Sequence, residues 1–146
     1  MKRKTYVLFA VVAILFLVAG FFTDKESIID VNVYDTYFVV AHRILFWLFA
    51  IVLFFLFAIY WCLEKAKMEL VNMLLIIHVF GSLGSILGIV FPYSLIFDSS
   101  RFPVYDDLQY INVCITINVL LFLFFQLLFI INIFVSLIRY IDRKKS

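Results

Sequence analysis

The stretch that decides the fold runs from Ile44 to Leu63 and reads ILFWLFAIVLFFLFAIYWCL. Its 20 consecutive residues carry no formal charge. A helix needs about 20 mostly apolar residues to cross the hydrocarbon core of a bilayer. The stretch therefore predicts a membrane-spanning helix, and the rest of the chain extends that interpretation.

The composition of the 146-residue chain is typical of a membrane protein. Apolar residues make up 66% of it and charged residues 15%, whereas a soluble domain is roughly 45 to 50% apolar and 25% charged. This hydrophobicity excludes a disordered chain, because disorder needs few apolar residues and many charges. The net charge is only +2, and no basic patch indicates a nucleic-acid partner.

Three further apolar stretches surround the first. Together they predict an all-α fold, a single membrane domain over residues 1–146 built as a four-helix bundle. The predicted helices run from Thr5 to Phe22, Phe38 to Leu63, Leu70 to Phe97 and Ile111 to Ile138. The first run has a second interpretation as a secretory signal, because basic residues precede it and small residues end it (Lys2 to Lys4, Val18 to Gly20).

The distribution of basic residues predicts the orientation of the bundle. Basic residues collect on the cytoplasmic side of short loops. If four helices alternate, nine of the 12 Lys and Arg residues fall on the side that holds both termini. We therefore expect both termini in the cytoplasm and the segments 23–37 and 98–110 outside.

The third apolar stretch carries a seam of small and polar residues. At 100° per residue these share one broad face of a helix: His78, Gly81, Ser82, Gly84, Ser85 and Gly88. Gly84 and Gly88 form a Gly-x-x-x-Gly pair, and Gly81 with Ser85 repeats that spacing, which lets a neighbouring helix backbone approach closely. The seam predicts helix packing, with a ligand groove as the alternative.

The fourth apolar stretch contains two sets of polar residues. One stripe carries Asn118, Asn132 and Ser136, and the other carries Asn112, Thr116 and Gln126. Two stripes predict two buried sides. Amides commonly hydrogen-bond between membrane helices, so we favour that role over an ion path.

His42 is the most unusual residue of the second predicted helix, near its external end. Its helix face continues through an apolar and largely aromatic stripe of Phe46, Phe49, Leu53, Leu56 and Tyr60. Such a stripe offers a surface for a flat macrocycle. A histidine in these surroundings ligates haem iron or hydrogen-bonds a loop, and both interpretations stand. Cys62 and Cys114 lack metal-ligand spacing and are expected to be buried, inert thiols.

The run Asp35-Thr36-Tyr37-Phe38-Val39-Val40-Ala41-His42 resembles the Asp-Thr-Tyr-Phe/Tyr-Val-Val-Ala-His-Phe-His signature of haem-copper oxidase subunit I. In that family the segment opens the tenth of twelve helices. Asp30 agrees with the residues that precede the signature. His78 and the pair Phe91-Pro92 match the spacing of the eleventh helix. The resemblance implies a degenerate short homologue of the last four helices, located in a bacterial inner membrane.

The departures from the family imply that oxidase activity is absent. His42 matches the ligand of the high-spin haem, but Ile44 occupies the position of the low-spin haem ligand. The copper-binding histidines belong to earlier helices of the family. Tyr34 replaces a histidine that takes part in magnesium binding. The resemblance thus leaves His42 as a candidate haem ligand, and Asp35 or Thr36 as a candidate cap of the second helix.

These observations predict a protein that is not an enzyme and has no metal site. Its expected partners are the lipid bilayer and either a second copy of itself or another membrane subunit. The alternative hypothesis is a haem-binding or electron-transfer protein that uses His42. A third hypothesis, an assembly factor for a true oxidase, depends on the resemblance alone.

Overall fold

The structure is a computed structural model that describes residues 5–24, 26–33, 36–93 and 105–145. Within these ranges the chain forms four helices and one two-stranded antiparallel hairpin. In chain order the elements are α1 (Val7–Phe22), β1 (Ile28–Val33), β2 (Thr36–Ala41), α2 (His42–Lys65), α3 (Asn72–Ile89) and α4 (Tyr105–Lys145). The chain is mostly helical, which agrees with the all-α prediction.

Three helices of the described part are long and apolar enough to cross a membrane: α2, α3 and the Tyr110–Arg143 part of α4. The apolar α1 has 16 residues, or about 24 Å at the rise of an α-helix, against a hydrocarbon core of about 30 Å. In contrast, α4 has 41 residues, or about 60 Å. Part of α4 therefore exceeds the length that a bilayer core accommodates.

The hairpin is absent from the sequence prediction, which began a helix at Phe38. Residues Thr36–Ala41 instead form β2, paired with β1 in the register from Ile28 opposite Ala41 to Val33 opposite Thr36. Both strands are rich in β-branched and aromatic residues, which favour extended backbone. The prediction of a helix that begins at Phe38 is therefore wrong over residues 38–41.

The N-terminal cap of α2 also differs from the expectation. Ala41 occupies the cap position with extended backbone, and no side chain makes a capping hydrogen bond there. Thr36 lies in β2, five residues earlier, so its predicted capping role is wrong. Asp35, the other expected cap, lies outside the described residues.

The last two helices end at different residues from those predicted. α3 stops at Ile89, because Pro92 lacks a backbone N–H and disfavours helical geometry in the residue before it. The prediction of a helix to Phe97 is therefore too long, and residues 94–97 lie outside the described part. α4 begins six residues before the predicted Ile111 and continues seven beyond Ile138.

The core lies between helices that are neighbours in the chain, since α1 packs on α2 and α3 packs on α4. The buried side of α2 carries Phe49, Leu53, Leu56 and Tyr60, which the sequence placed on one face of the helix. Phe16 of α1 meets Phe46 edge to face, with ring centroids 5.4 Å apart. The stripe of α2 from Phe49 to Tyr60 is therefore packed in the helix core, whereas Phe46 is half-buried.

Candidate functional site

His78 lies at the centre of the bundle and has no exposed surface. Its Nδ1 atom is 2.8 Å from the Tyr60 hydroxyl of α2, and its Nε2 atom is 3.2 Å from Gln126 Oε1 of α4. The Gln126 amide then donates from Nε2 to Ser82 Oγ at 3.1 Å. We refer to Tyr60, His78, Ser82 and Gln126 as the central polar network.

The partners of His78 define how its protons are arranged. Because a carbonyl oxygen only accepts, Nε2 of His78 carries the proton and donates to Gln126. Nδ1 of the neutral ring then accepts a hydrogen bond from the Tyr60 hydroxyl. Both ring nitrogens are satisfied in an apolar interior, where an unpaired polar group costs several kcal/mol. The network is therefore a complete structural unit.

Aromatic rings enclose the imidazole of His78. Phe129 of α4 stacks on it at 4.9 Å, with an angle of 17° between the planes. Phe9 of α1 meets it edge to face at 5.5 Å. Side chains from all four described helices thus meet at His78, which makes this residue the junction of the bundle.

The sequence prediction missed this network because it placed Gln126 on a second, separate side of α4. In the structure the inward residues of α4 recur at an average of about 3.5 positions, the repeat of left-handed helix packing. They are Ile115, Asn118, Phe122, Gln126, Phe129, Asn132 and Ser136. Thr116 is exposed, so the prediction of two buried sides is wrong.

The seam on α3 packs against α4 through two of its predicted glycines, Gly81 and Gly88, but not through Gly84. A Cβ atom built at Gly81 would overlap the Phe125 ring, and one at Gly88 would overlap the Asn118 amide. Ser85 is buried and donates to the Gly81 carbonyl at 2.8 Å. Gly84 is exposed, and its added Cβ would meet nothing within 4 Å. The contact therefore uses Gly81 and Gly88, and the predicted Gly84–Gly88 pair is wrong as a contact within the chain.

Asn132 joins α4 to the beginning of α3. Its Oδ1 accepts from the Val71 N–H at 2.9 Å, and its Nδ2 donates to the Val71 carbonyl at 3.4 Å. At the same end of the bundle, Arg143 of α4 forms an ion pair with Glu69 at 2.5 Å. The Tyr6 hydroxyl donates to the Glu64 carboxylate. The contacts of Asn132 and Arg143 tie the 66–71 connection to α4, and that of Tyr6 joins the start of α1 to the end of α2.

His42 is the first residue of α2 and is half-buried. Its backbone N–H donates to the Ser27 carbonyl, and its Nδ1 is 3.0 Å from Ser27 Oγ. His42 therefore makes the hydrogen bond to a loop that was one of its two interpretations. The partner, Ser27, precedes β1.

The structure describes only part of the other motif residues that carry the oxidase resemblance. Asp30 pairs with Val39 across the hairpin, and Tyr37 pairs with Asn32. The side chains of Asp30 and Tyr37 lie outside the described part, as does the whole of Asp35. The motif therefore stays an interpretation of the sequence.

A cavity of about 430 Å³ lies beside His42, between the start of the hairpin, α2, the end of α3 and α4. Its wall is mainly apolar, and the residues that bear on ligand chemistry are Ser27, His42, Phe46, Phe91, Tyr93 and Ile115. Small-molecule pockets are typically about 300 to 1,000 Å³ and mostly apolar with a few polar groups. The cavity beside His42 therefore has the volume and the mainly apolar wall of a small-molecule pocket.

Neither cysteine contributes a further site. Cys62 and Cys114 are unpaired, and Cys62 is exposed while Cys114 is half-buried. The expectation that both thiols are buried is therefore wrong for Cys62. In the ranges that the structure describes, no three His, Cys, Asp or Glu side chains come close enough together to hold a metal ion.

No known protein-family model matches the chain, and neither the curated proteins nor the solved structures contain a match. A function is therefore inferred from the residues and contacts of this chain alone.

Proposed function

We propose that this chain is a non-catalytic integral membrane protein with both termini in the cytoplasm, which packs with a second copy or with another membrane subunit. The central polar network carries the proposal. It uses the buried polar side chains of α2, α3 and α4 to hold the helices together, with every ring nitrogen of His78 paired inside the chain. This is the arrangement of a structural junction.

The outer surface of the helices supports a location in the bilayer. Only 17% of the apolar span of α4 is buried within the chain. Soluble monomers rarely expose continuous apolar patches of this extent. Lipid chains and a neighbouring helix are the surroundings that such a surface requires.

Gly84 supports contact with another helix. It is exposed on α3, where Phe80 and Leu87 project outward with exposed fractions of 58% and 53%. The missing side chain leaves a notch between these two residues. Small residues in membrane helices let a second backbone approach closely, so this notch is the position that we assign to the partner helix.

The orientation is tested with single cysteines in a background of Cys62→Ser and Cys114→Ser. Glu26 precedes the hairpin and Asp142 lies near the end of α4, and both are exposed. We expect a membrane-impermeant maleimide to label Glu26→Cys in intact cells and Asp142→Cys only after permeabilisation. Labelling of denatured protein gives the control for total thiol. The reverse pattern would contradict the orientation.

The same cysteine-free background tests the contact at Gly84. Oxidation in native membranes should crosslink a Gly84→Cys variant to a second copy or to a partner of fixed mass. Thr116→Cys, at an exposed position of α4, is the matched control and should give less product. Equal crosslinking of the two variants would show that Gly84 has no special role.

A second candidate function, haem binding, is favoured by the cavity beside His42. Metal-ligating histidines usually hydrogen-bond through their other ring nitrogen, and Ser27 Oγ provides such a partner at Nδ1. His42 would hold the iron of a haem, and Phe46 and Phe91 would contact its ring. Bound haem would supply one-electron chemistry. Among the described residues, the lining contains one histidine.

Absorbance of the purified protein distinguishes the two functions. Haem held by His42 should give a Soret band at roughly 400 to 430 nm, and His42→Ala should remove it. His78→Gln serves as the control, because His78 is enclosed by protein and does not line the cavity. A colourless preparation from haem-replete cells, or a band unchanged in His42→Ala, would eliminate this candidate.

A further inference from the structure

Two pairs of a cation and an indole mark the ends of α2. The Arg43 guanidinium lies 5.5 Å from the ring centroid of Trp47, and the Lys65 ammonium lies 5.3 Å from that of Trp61. The chain has 2 Trp residues, so each takes part in one pair. In both pairs the cation is four residues farther from the middle of the helix than the indole.

The two pairs lie on one side of α2. Arg43 and Trp61 are 18 residues apart, as are Trp47 and Lys65, and 18 residues make about five turns. The four side chains therefore form a single stripe along the helix. Between the pairs, exposed apolar side chains continue that stripe: Ile51, Phe54 and Ala58.

The spacing along the stripe corresponds to the thickness of a bilayer. Trp47 and Trp61 are 14 residues apart, or about 21 Å along the axis. Arg43 and Lys65 are 22 residues apart, or about 33 Å. With a hydrocarbon core of about 30 Å, the indoles fall just inside its two borders and the cations just outside.

The position of Trp47 is fixed by α1. A Cβ atom built at Gly20 would overlap the indole of Trp47, so the ring lies directly against the backbone of α1. Phe21 is its next neighbour, with ring centroids 5.6 Å apart. Because Gly20 and Phe21 hold the ring from one side, its exposed fraction of 36% faces away from the bundle.

We propose that this stripe binds phospholipids of both leaflets and sets the depth of the protein in the membrane. Arg43 and Lys65 contact headgroup phosphates, and the two indoles lie at the border of the hydrocarbon. We assign phospholipid as the occupant because a bilayer presents headgroup phosphates at both ends of the stripe and hydrocarbon between them, at the observed spacing. This inference rests on the proposed insertion of α2 into the membrane.

Tryptophan fluorescence tests the depth. Trp61→Phe and Trp47→Phe each leave one fluorophore in the full chain, which is then reconstituted in vesicles of brominated phosphatidylcholine. Bromine near the headgroup end of the chains should quench each remaining indole more strongly than bromine near the chain terminus. Stronger quenching of either indole by the terminal bromine would overturn the inference. Quenching of both by aqueous iodide, with none by bromine, would instead show that α2 is not inserted.

The role of the cations is tested in the same vesicles. Arg43→Gln should shift the quenching of Trp47 toward the deeper bromine and leave Trp61 unchanged, and Lys65→Gln should do the reverse. Arg139→Gln is the matched control, because it removes an exposed cation of α4. If Arg43→Gln leaves the depth of Trp47 unchanged and Lys65→Gln leaves that of Trp61 unchanged, the proposal that these cations bind phosphate is wrong.

Discussion

Gly81→Leu or Gly88→Leu is expected to destabilise the protein by about 2 to 3 kcal/mol, the upper part of the range for overpacked contacts. At Gly81 the new side chain would occupy the volume of the Phe125 ring, and at Gly88 that of the Asn118 amide. Asn118 is held in place because its Nδ2 donates to the Cys114 carbonyl at 2.9 Å. Thermal unfolding in detergent, followed by helical circular dichroism, measures the loss.

Gly84→Leu is the matched control for this prediction. It makes the same chemical change on the same helix, but its position is open within the chain, so in a detergent that separates the chain from its partner its effect should stay within about 0.5 kcal/mol, as for surface substitutions generally. A common melting temperature for the three variants would contradict the assignment of the α3–α4 contact to Gly81 and Gly88.

His78→Ala is expected to cost about 3 to 5 kcal/mol, comparable to the largest truncations of buried side chains. The change leaves a cavity between Phe9 and Phe129, which both contact the imidazole. It also removes the partner of the Tyr60 hydroxyl and one partner of Gln126. Each unsatisfied group adds about 1 to 3 kcal/mol to the loss, although relaxation of the site reduces the sum.

The hydrogen-bond part of that effect is separated by Tyr60→Phe, which keeps the ring and removes the hydroxyl. We expect a loss of about 1 to 2 kcal/mol, since Nδ1 of His78 then has no donor. Tyr110→Phe is the control, because the Tyr110 ring is 59% exposed. Equal unfolding free energies for these two variants would show that the bond from Tyr60 to His78 contributes nothing.

The positions of the helices were predictable because long apolar runs are typical of membrane-spanning helices. The hairpin was not, since residues 38–41 are themselves apolar and only His42 and Arg43 separate them from the apolar run of α2. A short apolar segment of this kind does not distinguish strand from helix by periodicity. The signal that was available is the β-branched content of Ile28–Val33 and of Val39 and Val40, on either side of the residues 34–35.

The contacts of the candidate site were hard to predict because they join residues far apart in the chain. The partner of His42 is Ser27, 15 residues earlier, and the register of the hairpin brings them together. The contact of His78 with Gln126 spans 48 residues and depends on how α4 is rotated about its axis. A helical wheel at 100° per residue drifts from the 3.5-residue repeat by about 20° in seven residues, which is why it assigned Gln126 to another side.

The arrangement of α1 beside α2 and of α3 beside α4 has a consequence for biosynthesis. Each pair is formed from consecutive segments, so the first pair is complete in sequence before the second leaves the ribosome. Membrane helices insert first and associate afterwards. The bond from His78 to Tyr60 crosses between the two pairs, and it forms only when both have been inserted. Loss of His78 would then leave two inserted helical pairs that fail to join, and such a chain would be a substrate for membrane quality-control proteases.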